Sequence, residues 1–354
     1  MKNTIYVFLL LSILSEIKGQ TVRKYSNEFL KINVGGRNAA MGGSLIGSSE
    51  DVSSVFYNPS AISEIEYTTV GAMHTSYFAG IANFDYAGIV LPLNEGKAFG
   101  VSLLRFGIDN IPNTIELYNP DNTINYDNIR SFSIADYALF LTYAQKIDKI
   151  EGLSIGGNAK IIHRTYGSFA KAWGFGFDVG AQYKKEKLII GAFLQDGTTT
   201  FNSWSFSFTD KEREVFQATD NEIPNSAIEI TAPAVHFGGS YKFDFNDENI
   251  TVMPSIKFVA YTDQRNVLLP IGPLSIDAAV GTEIGFWNTA YLRLGLSNFT
   301  KAINPIGEPF LSMQPSVGLG LHFGALQLHY SYNNVGNAGV GLFSHVVSAN
   351  FSFK

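Results

Sequence analysis

Residues 35–65 read GGRNAAMGGSLIGSSEDVSSVFYNPSAISEI, and the chain beyond residue 65 is strand after strand of two-residue alternation with nothing helical of comparable length. Gly35, Gly36, Ala39, Ala40, Gly42 and Gly43 give this stretch a backbone that turns tightly and lies close against another surface. It predicts one short helix. Ser48 and Asp51 have the spacing of a capping box, and Pro59 disfavours helical geometry at Asn58, which ends the helix there. A glycine-rich turn, a short helix and an Asn-Pro stop make a compact plug, and the rest of the chain reads as a wall around it.

The alternation is unbroken in several segments. Trp173, Phe175, Phe177, Val179, Ala181 and Tyr183 face one way, and Gly174, Gly176, Asp178, Gly180 and Gln182 the other. Val317, Leu319, Leu321 and Phe323 oppose Gly318, Gly320, His322 and Gly324, and the next segment sets Leu326, Leu328, Tyr330 and Tyr332 against Gln327, His329 and Ser331. The chain ends on Phe343, Val347, Ala349, Phe351 and Phe353 in the same alternation. Such a pattern suits a soluble sandwich or a membrane barrel, and three features favour the barrel. Aromatics recur at both ends of apolar faces, as with Tyr137 and Tyr143 around Leu139 and Leu141. The polar face is rich in Gly, Ala and Ser, which suits a filled lumen. Short and long connections alternate.

The fold class expected is therefore all-β, a transmembrane antiparallel β-barrel of about 14 strands with an N-terminal hatch inside its lumen. The strands are placed at 66–75, 81–92, 97–109, 133–146, 152–165, 173–184, 187–197, 233–245, 249–262, 273–286, 289–299, 314–324, 325–334 and 341–353. An even strand number puts both ends of the barrel on the periplasmic side, so the long links at 110–132 and 198–232 face outward.

Composition agrees. The 354 residues are 45% hydrophobic and only 16% charged, against about 25% charged in ordinary soluble domains. Phe 28, Tyr 17 and Gly 34 are high, and Cys is absent, which removes disulfides, thiol nucleophiles and thiolate metal sites. A net charge of −6 gives no basic footprint for nucleic acid. Lys2, the apolar run 5–14 and Gly19 read as a secretory signal over 1–19. Residues 20–65 then form the N-terminal segment and hatch, and 66–354 the barrel of a Gram-negative outer membrane.

Little in the chain points to chemistry. Gly174–Gly180 and Gly318–Gly324 each show G-x-G-x-x-x-G, but within strand alternation, where glycines soften a barrel strand. The six histidines are isolated in sequence, with His322 and His329 able to meet across adjoining strands in a hydrogen-bonding role. Asp121, Asn125 and Asp127 lack the closing Glu of a calcium loop. No catalytic residue, cofactor or metal is assigned. Lys160, Arg164, Asp178, Lys242, Asp244, Lys257, Asp277, Glu283 and Arg293 fall on the polar face, either as paired charges bracing the lumen or as a polar permeation path. In the second long loop Phe201, Trp204, Phe206 and Phe208 read either as a partner-binding surface or as rings packed on an extended strand.

The plug resembles the N-terminal signature of the PorV/PorQ family of outer-membrane barrels, a branch related to the FadL transporters, through Gly36, Arg37, Met41, Gly42, Gly43, Asp51, Asn58 and Pro59, with Ser60 where relatives often have Ala. The stretch IDNIPNT at 108–114 adds to it. The resemblance implies a fourteen-stranded barrel with an N-terminal hatch and a place in type IX secretion. The expectation is then a non-enzymatic barrel acting as a partner- and cargo-binding subunit of a secretion or surface-assembly complex. Its partners would be outer-membrane lipids, translocon or assembly proteins and exported cargo. The alternative is a FadL-like transporter of small hydrophobic molecules, which predicts a continuous apolar pocket and a kinked wall strand beside the plug.

Overall fold

The computed structural model describes residues 26–47, 51–94, 96–119, 121, 123–224, 226–246, 249–263, 267, 269–271, 274–303, 306–334 and 342–353. The expected signal at 1–19 and the Ser48 end of the predicted capping box lie outside them.

Fourteen antiparallel strands close a single barrel. They are β1 (Thr68–Tyr77), β2 (Ala82–Asn94), β3 (Lys97–Asn113), β4 (Arg130–Lys146), β5 (Leu153–Tyr166), β6 (Ala170–Lys185), β7 (Leu188–Gln195) and β8 (Ala234–Tyr241, resuming as Phe243–Phe245). The circuit continues with β9 (Ile250–Tyr261), β10 (Leu274–Phe286), β11 (Ala290–Ile303), β12 (Pro309–Phe323), β13 (Leu326–Asn334) and β14 (Phe343–Phe353). Each strand pairs with its neighbours in sequence, and the seam runs from Thr68↔Phe353 to Ser76↔His345 between β1 and β14. Among the described residues each of the fourteen strands is paired on both sides, the condition for a sheet to sit in hydrocarbon.

The exterior decides between sandwich and barrel. On β6, Trp173, Phe175, Phe177 and Val179 are 52%, 47%, 54% and 58% exposed, while Asp178 between them is 3% exposed. Apolar side chains turned out of a closed sheet with carboxylates turned in are the inverse of a soluble core, and this surface is built for lipid.

The lumen is filled by residues 26–65. Where one short helix is predicted, the segment folds as four short pieces: a 3-10 turn Glu28–Lys31, helix α1 (Gly36–Ala40), helix α2 (Ser54–Tyr57) and a 3-10 turn Pro59–Glu64. Asn58 is extended at φ −167°, so the helix ends where Pro59 requires. An apolar layer joins plug to wall, with Phe29, Leu30, Val34, Val52, Val55 and Ile62 packed on inward-facing Phe84, Leu104, Phe140 and Ile162 of β2–β5. The inner face of that side is thus apolar, whereas alternation predicts a small or polar lumen.

The expected loop 198–232 is not a plain loop. Thr200–Phe206 and Ser226–Thr231 form a hairpin above the wall, joined through helix α3 (Asp210–Ala218). Thr209 and Glu212 close a capping box at the start of α3.

Candidate functional site

An irregular segment inside a barrel must find partners for its backbone polar groups, and here the wall supplies them. Ser255 Oγ donates to Ser44 O (2.8 Å), Ser316 Oγ to Ala40 O (2.9 Å), Asn158 Nδ2 to Val55 O (3.0 Å) and Tyr86 Oη to Val52 O (3.0 Å). Gly36 N donates to Ser348 Oγ at 2.9 Å.

The motif residues of the plug divide between two anchor points. At the first, Arg37 lays its guanidinium on Glu283 of β10 through two bonds, Nε to Oε2 at 2.8 Å and Nη2 to Oε1 at 2.7 Å. Arg293 of β11 meets the same carboxylate at 2.6 Å and reaches His329 Nδ1 of β13 at 3.2 Å. Met41 is buried beside Leu45, Tyr57 and Met253. Gly42 and Gly43 adopt φ +66° and +77°, and a Cβ on Gly42 would stand 3.0 Å from the Leu296 backbone nitrogen. From the wall side, a Cβ on Gly281 would stand 2.5 Å from Met41 O, and one on Gly295 would overlap the backbone of Gly42. Plug and wall meet there backbone to backbone, which only glycine permits.

At the second anchor, Asn58 Oδ1 accepts from Ser60 N (3.2 Å) and Ser60 Oγ (2.7 Å), while its Nδ2 donates to Ile46 O (2.6 Å) and to Ala181 O of β6 (3.1 Å). A Cβ on Gly156 would stand 2.8 Å from the Pro59 carbonyl, and one on Gly180 would overlap Asn58. Gly156 of β5 and Gly180, the last glycine of the β6 run, therefore seat the plug, while Gly174 and Gly176 make room for Asn202 and Thr200. Asp51 Oδ1 accepts from Ser53 N at 2.8 Å and shapes the turn before α2.

The wall itself is broken beside the plug. Against β6, Leu194 stands opposite Val179 and Phe201 opposite Phe175, so residues 195–200 of the outgoing chain span a gap that residues 176–178 cross directly. The excess folds into a turn, with Asp196 at φ 56°, Thr199 at φ 60° and Thr199 N on Asp196 O at 2.8 Å, while Gly197 N donates to Phe177 O at 2.9 Å. Asp196 N donates to Asp178 Oδ1 at 2.9 Å. Lys160 of β5 reaches Asp178 at 2.7 Å and Asp196 at 2.5 Å, and Thr200 Oγ1 donates to Asp196. The hairpin strand Ser226–Thr231 is likewise separated from β8 at this level, at 232–233, where Pro233 has no N–H to give a ladder. The plug begins at this break: Asn27 Nδ2 donates to Thr231 Oγ1 (2.7 Å), Asn202 Nδ2 to Asn27 Oδ1 (3.0 Å) and Gln195 Nε2 to Leu30 O (3.2 Å).

A cavity of about 500 Å³ lies in the lumen over the plug, within the usual range for small-molecule sites of about 300–1,000 Å³. Phe29, Phe56, Tyr77 and Phe106 form an apolar side, and Gln195, His236, Lys257 and Asp277 a polar one. Gln195 carries the cavity to the start of the break. The cavity is mixed in character, where the transporter reading predicts a continuous apolar pocket.

Of the lumen charges named from sequence, Lys160, Arg164, Asp178, Glu283 and Arg293 are buried and paired, Arg164 with Asp136 (2.8 Å) and Glu229 (3.3 Å). Lys242 and Asp244 pair with each other at 3.7 Å, and Asp244 with Lys187 at 3.0 Å. Their partners Arg37, Asp136, Asp196 and Glu229 were not marked as such by the alternation. Glu229 carries a readable signal, a carboxylate between Ile228 and Ile230 in strand alternation.

The aromatic loop residues lie on two faces. Phe201 points outward beside Phe175, with ring centroids 6.1 Å apart. Trp204 is buried, donates Nε1–H to Glu229 Oε2 at 2.7 Å and packs on Tyr166 at 5.0 Å. Phe206 and Phe208 are half-buried and continue the stack to Phe216 of α3, 5.1 Å from Phe208. His322 and His329 meet edge to face at 5.6 Å. Asp121 accepts both Thr123 N and Oγ1, and Asn125 accepts Asp127 N, so these loop oxygens serve local turns. Among the described residues no three His, Cys, Asp or Glu side chains are placed to hold a metal.

No protein-family model matches the chain, and no curated protein matches it in sequence. Solved structures do match in fold. The toluene transporter TodX of Pseudomonas putida is 14% identical with a TM-score of 0.54, over 90% of this chain and 98% of that one. The monoaromatic hydrocarbon channel CymD is 13% identical with a TM-score of 0.54, over 90% and 97%. A FadL homologue of Pseudomonas aeruginosa is 14% identical with a TM-score of 0.50, over 90% and 98%. The fold is thus that of FadL-type outer-membrane barrels, and the PorV/PorQ resemblance rests on the plug motif and the stretch at 108–114. These matches overturn the expectation of a cargo-binding subunit of type IX secretion. TodX and CymD are named a toluene transporter and a monoaromatic hydrocarbon channel, and the kinked wall strand beside the plug is a feature that the transporter alternative predicts.

Proposed function

We propose that this protein is a non-enzymatic outer-membrane channel for small, largely apolar molecules, which collect in the cavity over the plug and leave sideways through the broken wall at 196–199. The observation that carries this reading is the excursion of the chain after β7, where 195–200 stand against 176–178, pinned by Lys160 between Asp178 and Asp196, with the cavity reaching it at Gln195. A lateral route suits an apolar passenger because the plug closes the lumen with charged and hydrogen-bonded groups at both anchors. TodX and CymD, which share the fold, are named for toluene and for monoaromatic hydrocarbons. The PorV/PorQ likeness of the motif is read as a shared way of seating a plug in a fourteen-stranded barrel.

The test is uptake of a labelled monoaromatic hydrocarbon by outer membranes carrying the protein or a variant lacking 197–199, in which the ladder can run on without the excursion. Uptake is expected to fall to the level of membranes without the protein. Equal uptake by a correctly inserted variant rules out the lateral route.

A further inference from the structure

The lipid-facing side of β1–β6 carries a polar row. His74, Asp85, Arg105, Tyr137, His163 and Trp173 stand on the outward face, and each is the direct cross-strand partner of the next. Two residues to one side of the row the outward positions include Leu103, Leu139 and Phe175, and two residues to the other side Ser76, Asn83, Thr165 and Lys171. Between the row and Phe99, Tyr143 and Tyr183 near the opposite end, the outward positions of β3, β4 and β6 carry no charge. The row is therefore one edge of the apolar band. It lies toward the end where the hairpin joins β6, away from Thr68 and Phe353, and with both strand ends periplasmic this is the outer edge. A charge on the lipid face is costly at the midplane of the bilayer and nearly free at its interface, which places Asp85 and Arg105 at head-group depth.

The row offers both donors and acceptors. Asp85 is met by His74 Nδ1 at 2.6 Å and by Arg105 at 3.6 Å. The Arg105 guanidinium lies over Gly107 and reaches Asp109 at 3.5 Å, so its charge turns away from Leu103 and toward the head groups. His163 stacks on Trp173 with ring centroids 4.1 Å apart, and its Nδ1 stands 3.1 Å from Ala172 O. A carbonyl only accepts, so Nδ1 carries the proton and Nε2 is left as an acceptor. A guanidinium matches a phosphate, and the phenol, indole and imidazole beside it match the hydroxyls of a sugar. We infer that this outer rim binds the phosphorylated sugar head of an outer-leaflet glycolipid. Arg105 pairs with a phosphate, Tyr137 and Trp173 donate to neighbouring oxygens, His163 Nε2 accepts from a sugar hydroxyl, and the acyl chains lie on Leu103, Leu139 and Phe175 beneath. The site is on the opposite side of the wall from the cavity and is independent of what the channel carries.

The experiment measures binding of lipid A, its phosphate-free form and phosphatidylglycerol to the purified full-length barrel in a nonionic detergent at neutral pH. The wild type is expected to bind lipid A about tenfold or more tighter than the phosphate-free form, the usual worth of a hydrogen bond to a charged group. It should also bind lipid A tighter than phosphatidylglycerol, which has a phosphate and no sugar. Arg105→Leu should abolish the phosphate preference and Arg105→Lys retain part of it, while Tyr137→Phe should weaken both forms of lipid A alike. Lys97→Leu, at the other end of β3, should bind as the wild type does. Heat-modifiable gel mobility checks that each variant is a closed barrel. Equal binding of lipid A and its phosphate-free form by the wild type, or a preference that survives in Arg105→Leu or is lost equally in Lys97→Leu, overturns the inference. So does phosphatidylglycerol binding as tightly as lipid A, or displacement of lipid A by millimolar inorganic phosphate.

Discussion

Arg37 of the plug and Glu283 of β10 face each other through two parallel hydrogen bonds, at 2.8 and 2.7 Å, with both side chains buried. The fork geometry of a guanidinium against a carboxylate makes this the most directional contact between plug and wall. Glu283 is shared with Arg293, so the wall holds its half of the site in place whether or not the plug is docked.

Arg37→Met should loosen the first anchor. Losing one partner of a buried pair costs about 3–5 kcal/mol, although Arg293 keeps Glu283 partly compensated and sets the lower end as the expectation. In planar bilayers the variant should show higher conductance than the wild type, approaching that of a barrel lacking residues 35–60. Wild-type conductance from both would mean that this segment does not close the lumen.

Lys160→Met should disturb the wall break. It leaves Asp178 and Asp196 facing each other with no cation between them, and two carboxylates in one buried site repel. The expected result is a barrel that loses its heat-resistant gel mobility at lower temperature, with partial recovery when Asp178→Asn and Asp196→Asn are added. A triple variant no more stable than Lys160→Met would show that the charges do not set the excursion.

Gly295→Val should displace the plug and turn aside the Ser316 side chain of β12, which stands 2.5 Å from the added Cβ. Any Cβ there meets the backbone of Gly42, so the plug must withdraw, and overpacking of this kind typically costs about 1–3 kcal/mol. Leu319→Ala, a lipid-facing change on β12, is the control. Raised conductance in the first and not in the second is the expected pair of outcomes.

Trp204→Ala should open the hairpin above the barrel. The ring is buried between Arg164 and Tyr166, and its N–H serves Glu229. Large-to-small changes of this type cost about 3–5 kcal/mol in a core, and at the mouth that cost falls on the hairpin alone. Limited proteolysis between 206 and 226 should become faster in the variant. An unchanged cleavage rate would show that the hairpin is held by other contacts.

The barrel was legible because lipid on one side and a plug on the other impose strict alternation, as β6 and β12 display. The helix stop in the plug was legible too, since Asn58 and Pro59 act locally and their effect on the helix end follows from covalent geometry, but the bond from Asn58 to β6 was not. The wall break was hidden because Asp196-Gly197 reads like any turn that ends a strand; nothing local says that the ladder resumes at Thr200 against the same neighbour. Helix α3 was missed although its signal was present, Thr209 and Glu212 at capping-box spacing. The Arg37–Glu283 pair could not be read at all, because its partners lie 246 positions apart and only the closed barrel brings them together. Lys257 reads as inward-facing, but its place in the cavity wall is a property of the packed lumen.

Ser348 lies on β14, the final strand of the wall, and receives the amide of Gly36 at 2.9 Å. The same eleven residues, Phe343–Phe353, complete the seam with β1. Biogenesis therefore ties two events to one segment: a nascent chain that has not delivered its last strand has neither a sealed circumference nor that fastening for its plug. The strand that closes the barrel also fastens its plug, and damage to β14 should be felt at Gly36.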